Sequence, residues 1–249
     1  MLELRSRLEL DLGASEVRHG FGLFETLLVR RGAPLRLPWH LERLAAGAAF
    51  LRMEAPPSSK VILDFARSAF DLASRDEAVL RLYALGPCLF VDLGTSLPPL
   101  PPSRGAALSR SIRRWSASPL CRFKTLSYME NRLLSREAQD RGLLEVVALN
   151  ESGRLSDGGR TSLFAVVGPR LLTPPVADGA LPGTLRRLLL ERGLAREAPL
   201  SASDMARAEA AFVCNALRLV LPLEAWEGRS LDREASLLRE AAALVDSES

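Results

Sequence analysis

The chain has 249 residues, 47% hydrophobic and 25% charged, which excludes a disordered or fibrous protein and suits one large domain or two small ones with a buried core. Its 33 basic residues stand against 30 acidic ones for a formal charge of +3, with the signs interspersed, so no basic run of the kind that grips nucleic acid is present. Two of the basic residues, Lys60 and Lys124, are lysines and the other 31 are arginines, so chemistry that needs a primary side-chain amine has two places to reside.

Leu2–Leu10 alternates charged and apolar residues with a period of two and predicts a half-exposed strand. Phe24–Val29 is a second strand, closed by a turn at Arg31-Gly32-Ala33-Pro34, with Leu35–Leu37 as its hairpin partner. Pro38–Phe50 has helical spacing, a second helix runs from Ser58 to Ala73, and Ala78–Ala84 and Cys88–Asp92 are strands. Ser96–Gly105 carries four prolines in ten residues; proline fixes φ and donates nothing to a sheet, so this is the linker candidate.

Beyond it, Ala107–Trp115 reads as a strand, with Arg110, Arg113 and Arg114 on a solvated face, and Leu126–Arg141 as a helix stopped by Gly142. Short strands follow at Glu145–Asn150, Arg154–Ser156, Ser162–Val167 and Arg170–Thr173. Thr184 caps a helix over Leu185–Arg192, and a strand at Ala210–Cys214 precedes a C-terminal helix. These spacings predict an α+β fold with a small N-terminal domain (1–97), a proline-rich linker (98–105) and a larger C-terminal domain (106–249). Cys88, Cys121 and Cys214 lie far apart, without the C-x-x-C spacing of a zinc site or the density of a disulfide framework. No stretch reaches the ~18 apolar residues of a membrane span. Met1–Leu12 lacks the apolar core of a secretory signal, so a cytoplasmic protein without membrane or nucleic-acid partners is expected.

Lys60 sits at a predicted helix start among prolines and serines, where a lysine is solvated. Lys124 has apolar neighbours on both sides in Phe123-Lys-Thr-Leu126; apolar surroundings disfavour the ammonium and free the amine for a Schiff base, whereas a snorkelling surface lysine is the plainer reading. Downstream, Gly153-Arg-Leu-Ser-Asp157 puts a carboxylate at the end of a strand. Leu172-Thr-Pro-Pro then leads to Gly179-Ala-Leu-Pro-Gly-Thr184 at a helix N-terminus, where backbone N–H groups and the helix dipole favour a phosphate. An amine, a carboxylate for a ring nitrogen and a phosphate cradle are the parts that pyridoxal phosphate requires.

In this order the motifs resemble the fold-type IV pyridoxal-phosphate enzymes, which comprise branched-chain aminotransferases, D-amino-acid aminotransferases and 4-amino-4-deoxychorismate lyases. His19-Gly-Phe-Gly-Leu-Phe-Glu-Thr26 is similar to the family's Y-G-D-G-x-F-E-T strand, and His40-Leu-Glu-Arg-Leu44 to H-x-x-R-L. Lys124-Thr-Leu-Ser-Tyr128 is similar to K-x-L-N-Y, and Gly179-Ala-Leu-Pro-Gly-Thr-Leu-Arg186 to G-x-L-x-G-I-T-R. The resemblance implies Lys124 as the catalytic Schiff-base residue and Arg43, Gly183, Thr184 and Leu185 at the cofactor phosphate. It further implies Asp157 at the ring nitrogen, Tyr128 near the phenolic oxygen, and Asn215 and Ala216 in the segment Phe212–Leu217 beside the cofactor. His40 receives no catalytic role, and Glu25 is expected to order the small domain.

Tyr128, four residues after the lysine, and Phe212-Val-Cys-Asn-Ala-Leu217 ending at Pro222 favour the lyase within the family, which releases pyruvate and 4-aminobenzoate for folate biosynthesis. An aminotransferase for D- or branched-chain amino acids is the alternative, and a non-catalytic homologue is the third. The departures are Asp157 where the family has glutamate, Ser162 and Ser127 where it has asparagine, and Leu185 where it has threonine. A small-molecule substrate, a homodimer and a cofactor lying between two domains are implied by the resemblance.

Overall fold

A computed structural model describes all residues except 8–10, 12, 95, 96, 98 and 249. The chain divides into two compact units, Met1–Pro98 with Phe123–Tyr128, and Pro99–Arg122 with Met129–Ser249. The expected α+β class is the one observed. Among the described residues no helix is long and apolar enough to cross a membrane.

The first unit contains β1 (Glu3–Arg5), α1 (Ser15–His19), β2 (Gly22–Arg30), β3 (Ala33–Pro34), α2 (Leu37–Phe50), α3 (Ser59–Phe70), β4 (Glu77–Leu85) and β5 (Cys88–Gly94). Its sheet has the order β1-β5-β4-β2-β3, parallel between β1 and β5 and antiparallel elsewhere. Alternate residues of β2, Leu23, Leu27 and Val29, join Leu41 and Leu44 of α2 and Ile62 and Ala66 of α3 in the core. Burial of such side chains at about 25 cal/mol per Å² drives this packing. The first strand is shorter than its alternation suggests, and the expectation for 8–10 falls outside the described residues. The expected hairpin partner Leu35–Leu37 is replaced by the two-residue β3: Arg36 adopts a left-handed φ of 53° and α2 starts at Leu37. Ser96 and Pro98 of the linker candidate likewise lie outside the described residues.

The second unit contains β6 (Gly105–Arg114), α4 (Met129–Asp140), β7 (Glu145–Asn150), β8 (Leu155–Gly158), β9 (Ser162–Val167), β10 (Arg170–Thr173), α5 (Thr184–Glu191), β11 (Ala195–Glu197), α6 (Ala202–Arg207), β12 (Ala210–Asn215), β13 (Leu219–Pro222), β14 (Ala225–Trp226), β15 (Arg229–Ser230) and α7 (Ser236–Ser247). They form two sheets, β11-β10-β9-β12-β13 and β15-β14-β6-β7-β8. Phe164 and Phe212 pair across β9 and β12 with stacked rings 4.8 Å apart. The apolar stripe of α4, Leu134 and Ala138, packs on Val146 and Ala148 of β7.

The segment Phe123–Tyr128 does not start a helix. Phe24 N–H donates to Lys124 O and Leu126 N–H to Gly22 O, both at 2.8 Å, so the segment runs extended along the free edge of β2, and α4 begins only at Met129. Helical periodicity from Leu126 onward is present, but the backbone groups of 124–126 are used in sheet pairing. Gly22 makes that approach possible, because a Cβ there would sit 2.6 Å from Ala84 O and 2.7 Å from a Leu126 methyl. A division by sequence position alone keeps this segment with 106–249; its contacts group it with the first unit.

Inside the first unit a buried polar knot ties β2 to α2. Glu25 accepts hydrogen bonds from Arg43 Nε and Nη2, each at 2.7 Å, and from His40 Nδ1–H at 2.6 Å. Burial pushes the Glu25 carboxyl up, but the Arg43 charge and the hydrogen bonds from His40 and Arg43 outweigh it and bring the pKa from 4.5 to about 2. Burial holds His40 below the usual histidine range, against the pull of Glu25, so the ring is neutral and its Nδ1–H is the donor. Because the folded pKa of Glu25 is depressed, its contribution is fully present above pH 4.5 and fades as the pH falls toward 2, amounting to roughly 3 kcal/mol. Glu25→Gln is therefore expected to destabilise at pH 7 and to converge on wild type near pH 2 in denaturant unfolding. Parallel stability–pH curves for the two proteins would contradict this assignment.

Candidate functional site

The edge pairing that places Lys124 also decides what its amine meets. Leu23 and Thr125 are bridge partners and both are buried, so Lys124 shares the opposite sheet face with Phe24. Its Nζ lies 4.0 Å from the centroid of the Phe24 ring and 5.2 Å from that of Tyr128. Tyr128 meets Phe24 edge-to-face at 5.0 Å, and Tyr83 on the neighbouring strand stacks on Phe24 at 6.5 Å. Burial raises the Tyr83 phenol above its usual range. Lys60, the other lysine, has a side chain 85% exposed and pairs with Asp64 one helical turn on. A primary amine on an aromatic-lined face is thus found at Lys124.

Arg43, expected at a phosphate, spends two of its donors on Glu25. Glu25 therefore does order the first unit, and it does so by fixing the guanidinium of Arg43 through a side-on, two-point contact. His40 completes the knot, a structural part that motif matching assigned to no function.

In the second unit Asp157 lies within β8, one position inside its C-terminal end, and is buried. Leu181 N–H donates to its Oδ2 at 3.0 Å and Arg114 Nη2 to its Oδ1 at 3.4 Å. Burial raises the carboxyl above the usual range, while Arg114 and the Leu181 N–H pull it down. Arg114 corrects the expectation of a solvated face: it is 6% exposed, and its Nη1 donates to Glu130 Oε2 and Asn131 Oδ1, both at 3.1 Å. Alternation from Ile112 would have placed Arg114 on the inner face, but the register shift between Leu108 and Arg113 hides that period.

The turn after Asp157 is gathered by Glu145, another residue that motif matching passed over. Its buried carboxylate accepts from Gly159 N–H at 3.1 Å, Arg160 N–H at 3.4 Å and Thr161 Oγ1–H at 2.8 Å. Burial raises its pKa against those donors. An acid at the head of the apolar run Glu145-Val-Val-Ala-Leu was the available signal.

Thr184 is the first residue of α5, not its cap; the N-cap is Gly183, which offers no side chain. The first bond of the helix is Arg187 N–H to Gly183 O at 2.8 Å, so the i to i−4 ladder opens at Gly183 and the first turn runs through Thr184, Leu185 and Arg186. Leu185 is 1% exposed and packs in the core, which leaves its backbone N–H as its polar contribution. A Cβ at Gly183 would stand 2.9 Å from Ser162 Oγ, so the glycine lets the backbone lie against Ser162 without displacing that side chain. Arg186 is buried and donates to Pro174 O at 2.9 Å and to Glu197, pinning the loop before α5. Asn215 turns back on its own chain, its Oδ1 accepting from Leu217 N–H at 3.0 Å and Arg218 N–H at 2.8 Å, with Ala216 inside that turn. Within the second unit Asp157 and the α5 entry are joined through Leu181; Asn215 and Ala216 form a separate turn.

The chain is similar to several known proteins. The aminodeoxychorismate lyase of Bacillus subtilis is 27% identical over 203 residues, covering 74% of this chain and 69% of its own. The bifunctional aminodeoxychorismate lyase/D-amino acid transaminase of Mycobacterium tuberculosis is 26% identical over 248 residues, covering 86% and 84%. The pyridoxal-phosphate-bound structure of a hypothetical aminotransferase from Mycobacterium tuberculosis superposes with a TM-score of 0.80 at 25% identity over 97% of this chain and 93% of that one. The profile of the class IV amino-transferase family matches residues 22–226, and the chain therefore belongs to that family of pyridoxal-phosphate enzymes.

Proposed function

We propose that the protein is a pyridoxal-phosphate-dependent 4-amino-4-deoxychorismate lyase that releases pyruvate and leaves 4-aminobenzoate. The observation that carries this reading is the surroundings of Lys124: its amine lies against the rings of Phe24 and Tyr128, an aromatic wall suited to a flat six-membered ring. The lyase-like segments Lys124–Tyr128 and Phe212–Leu217 and the names of two relatives support it.

The residues present fit the cofactor. The first unit offers a primary amine and an arginine held by a carboxylate; the second offers a buried carboxylate and a helix entrance whose close approach to Ser162 a Cβ at Gly183 would crowd. Lys124 would hold it covalently, the N–H groups at the start of α5 and Arg43 would hold its phosphate, and Asp157 would accept a hydrogen bond from its ring nitrogen and keep that nitrogen protonated. Bound pyridoxal phosphate supplies an electron sink for the carbon next to the substrate amine. The Lys124 amine, once the substrate amine has freed it, would take the proton from the ring carbon that bears the substrate amine; with that proton lost and the C–O bond to the side arm broken, the side arm would leave as the enolate of pyruvate and take up a proton. The ring that remains is aromatic, which drives the elimination. The expected homodimer belongs to the same proposal.

Mixing the protein with pyridoxal phosphate is expected to give visible absorbance of lysine-bound cofactor, abolished in Lys124→Ala and retained in Lys60→Ala. Retention of that band in Lys124→Ala would remove Lys124 from its role. Incubation with aminodeoxychorismate is expected to yield 4-aminobenzoate and pyruvate in equal amounts. The bifunctional relative makes amino transfer the second reading, and transfer to a 2-oxo acid without any aromatic product would replace the lyase by an aminotransferase.

A further inference from the structure

We infer that Arg114 is the positioning residue for Asp157, holding its carboxylate as a charged acceptor and fixing it against the loop that leads into α5. The inference rests on the reading of Asp157 as the partner of the cofactor's ring nitrogen. Both groups are almost fully enclosed, with side-chain exposures of 7% and 10%. A carboxylate removed from water without a countercharge takes up a proton, and a protonated carboxyl is a donor where a protonated ring nitrogen needs an acceptor. Arginine cannot give up its proton, so the countercharge is permanent.

The geometry assigns the work to a guanidinium. Nη2 points to Asp157, while Nη1 is anchored 3.1 Å from both Glu130 and Asn131 at the start of α4. The Glu130 side chain is 60% exposed, so water screens that pair, and Asp157 is the buried carboxylate that Arg114 balances. On its other oxygen Asp157 receives the N–H of Leu181, two residues before Gly183, so a displaced carboxylate would loosen the entrance of α5 as well. The loop lies close over the arginine, since a Cβ at Gly179 would be 3.4 Å from the Cβ of Arg114.

The test is a titration of the full-length apo protein with pyridoxal phosphate, read by visible absorbance, with far-UV circular dichroism as the control for folding. Asp157→Asn and Arg114→Gln are each expected to weaken cofactor binding by about tenfold or more, as loss of outer-shell partners does at other bound groups. The double variant is expected to bind no more weakly than Asp157→Asn, because the two residues act as one unit. Arg114→Lys, which keeps the charge but not the two-ended fork, is expected to recover part of the affinity, and it decides the question if Arg114→Gln does not fold. Weak binding by Asp157→Asn with wild-type binding by Arg114→Gln, additive losses in the double variant, or no recovery in a folded Arg114→Lys would each overturn the role of Arg114. Wild-type binding by Asp157→Asn would overturn it too, by removing Asp157 from the cofactor, and would leave the assignment of Lys124 standing.

Discussion

The pairing of residues 124–126 with the edge of β2 is the interaction on which the proposed chemistry depends. Two backbone hydrogen bonds of 2.8 Å commit a segment that is helix-like in pattern to an extended path. The period of two in that path then sends Thr125 into the core and Lys124 to the face that carries Phe24, Tyr83 and Tyr128. The glycine at position 22 is the steric condition for it. The side chain that serves as an amine is therefore aimed by a sheet edge, a rigid support, and not by a loop.

Buried arginine–carboxylate contacts are the second organising device. Arg43 with Glu25 and Arg114 with Asp157 each place a guanidinium and a carboxylate where water is excluded. They differ in kind from the exposed pairs such as Lys60–Asp64 or Arg136–Asp140, which are worth about 0–1 kcal/mol. Breaking a buried pair strands an uncompensated charge, at a cost of about 3–5 kcal/mol. The planar fork, with several donors at fixed angles, lets one arginine meet two or three partners, as Arg114 does. Part of the chain's arginine content is thus structural and internal, and it carries no message about nucleic acid.

Much of the fold was legible along the chain. The strands at Phe24–Val29, Glu145–Asn150, Ser162–Val167 and Ala210–Cys214 alternate or run apolar over lengths that sheets use, and the helices after Pro38 and Ser58 carry clean stripes. Three of the errors have separate causes. The helix from Leu126 was overridden by backbone pairing with Gly22 and Phe24, residues roughly a hundred positions away. The cap placed on Thr184 moved one residue because the chain turns from extended to helical at Gly183 (φ −69°, ψ 145°), which has no side chain for a capping pattern to detect. The solvated face assigned to Arg114 failed because a register shift interrupts the strand's alternation.

Composition and motif order by themselves determined the family, the cofactor class and the two candidate amines, because these depend on residue types at local spacings. Tertiary structure alone decided that Glu25 and His40 secure Arg43, that Glu145 gathers the turn after Asp157, and that Asn215 is spent on its own turn. It also decided that Lys124 looks onto aromatic rings while Lys60 looks into water. Local pattern records how often a side chain turns inward; it does not record which partner waits there. That partner is set by strand edges and buried charges meeting across long separations, where each unpaired group carries a desolvation cost that one arrangement satisfies.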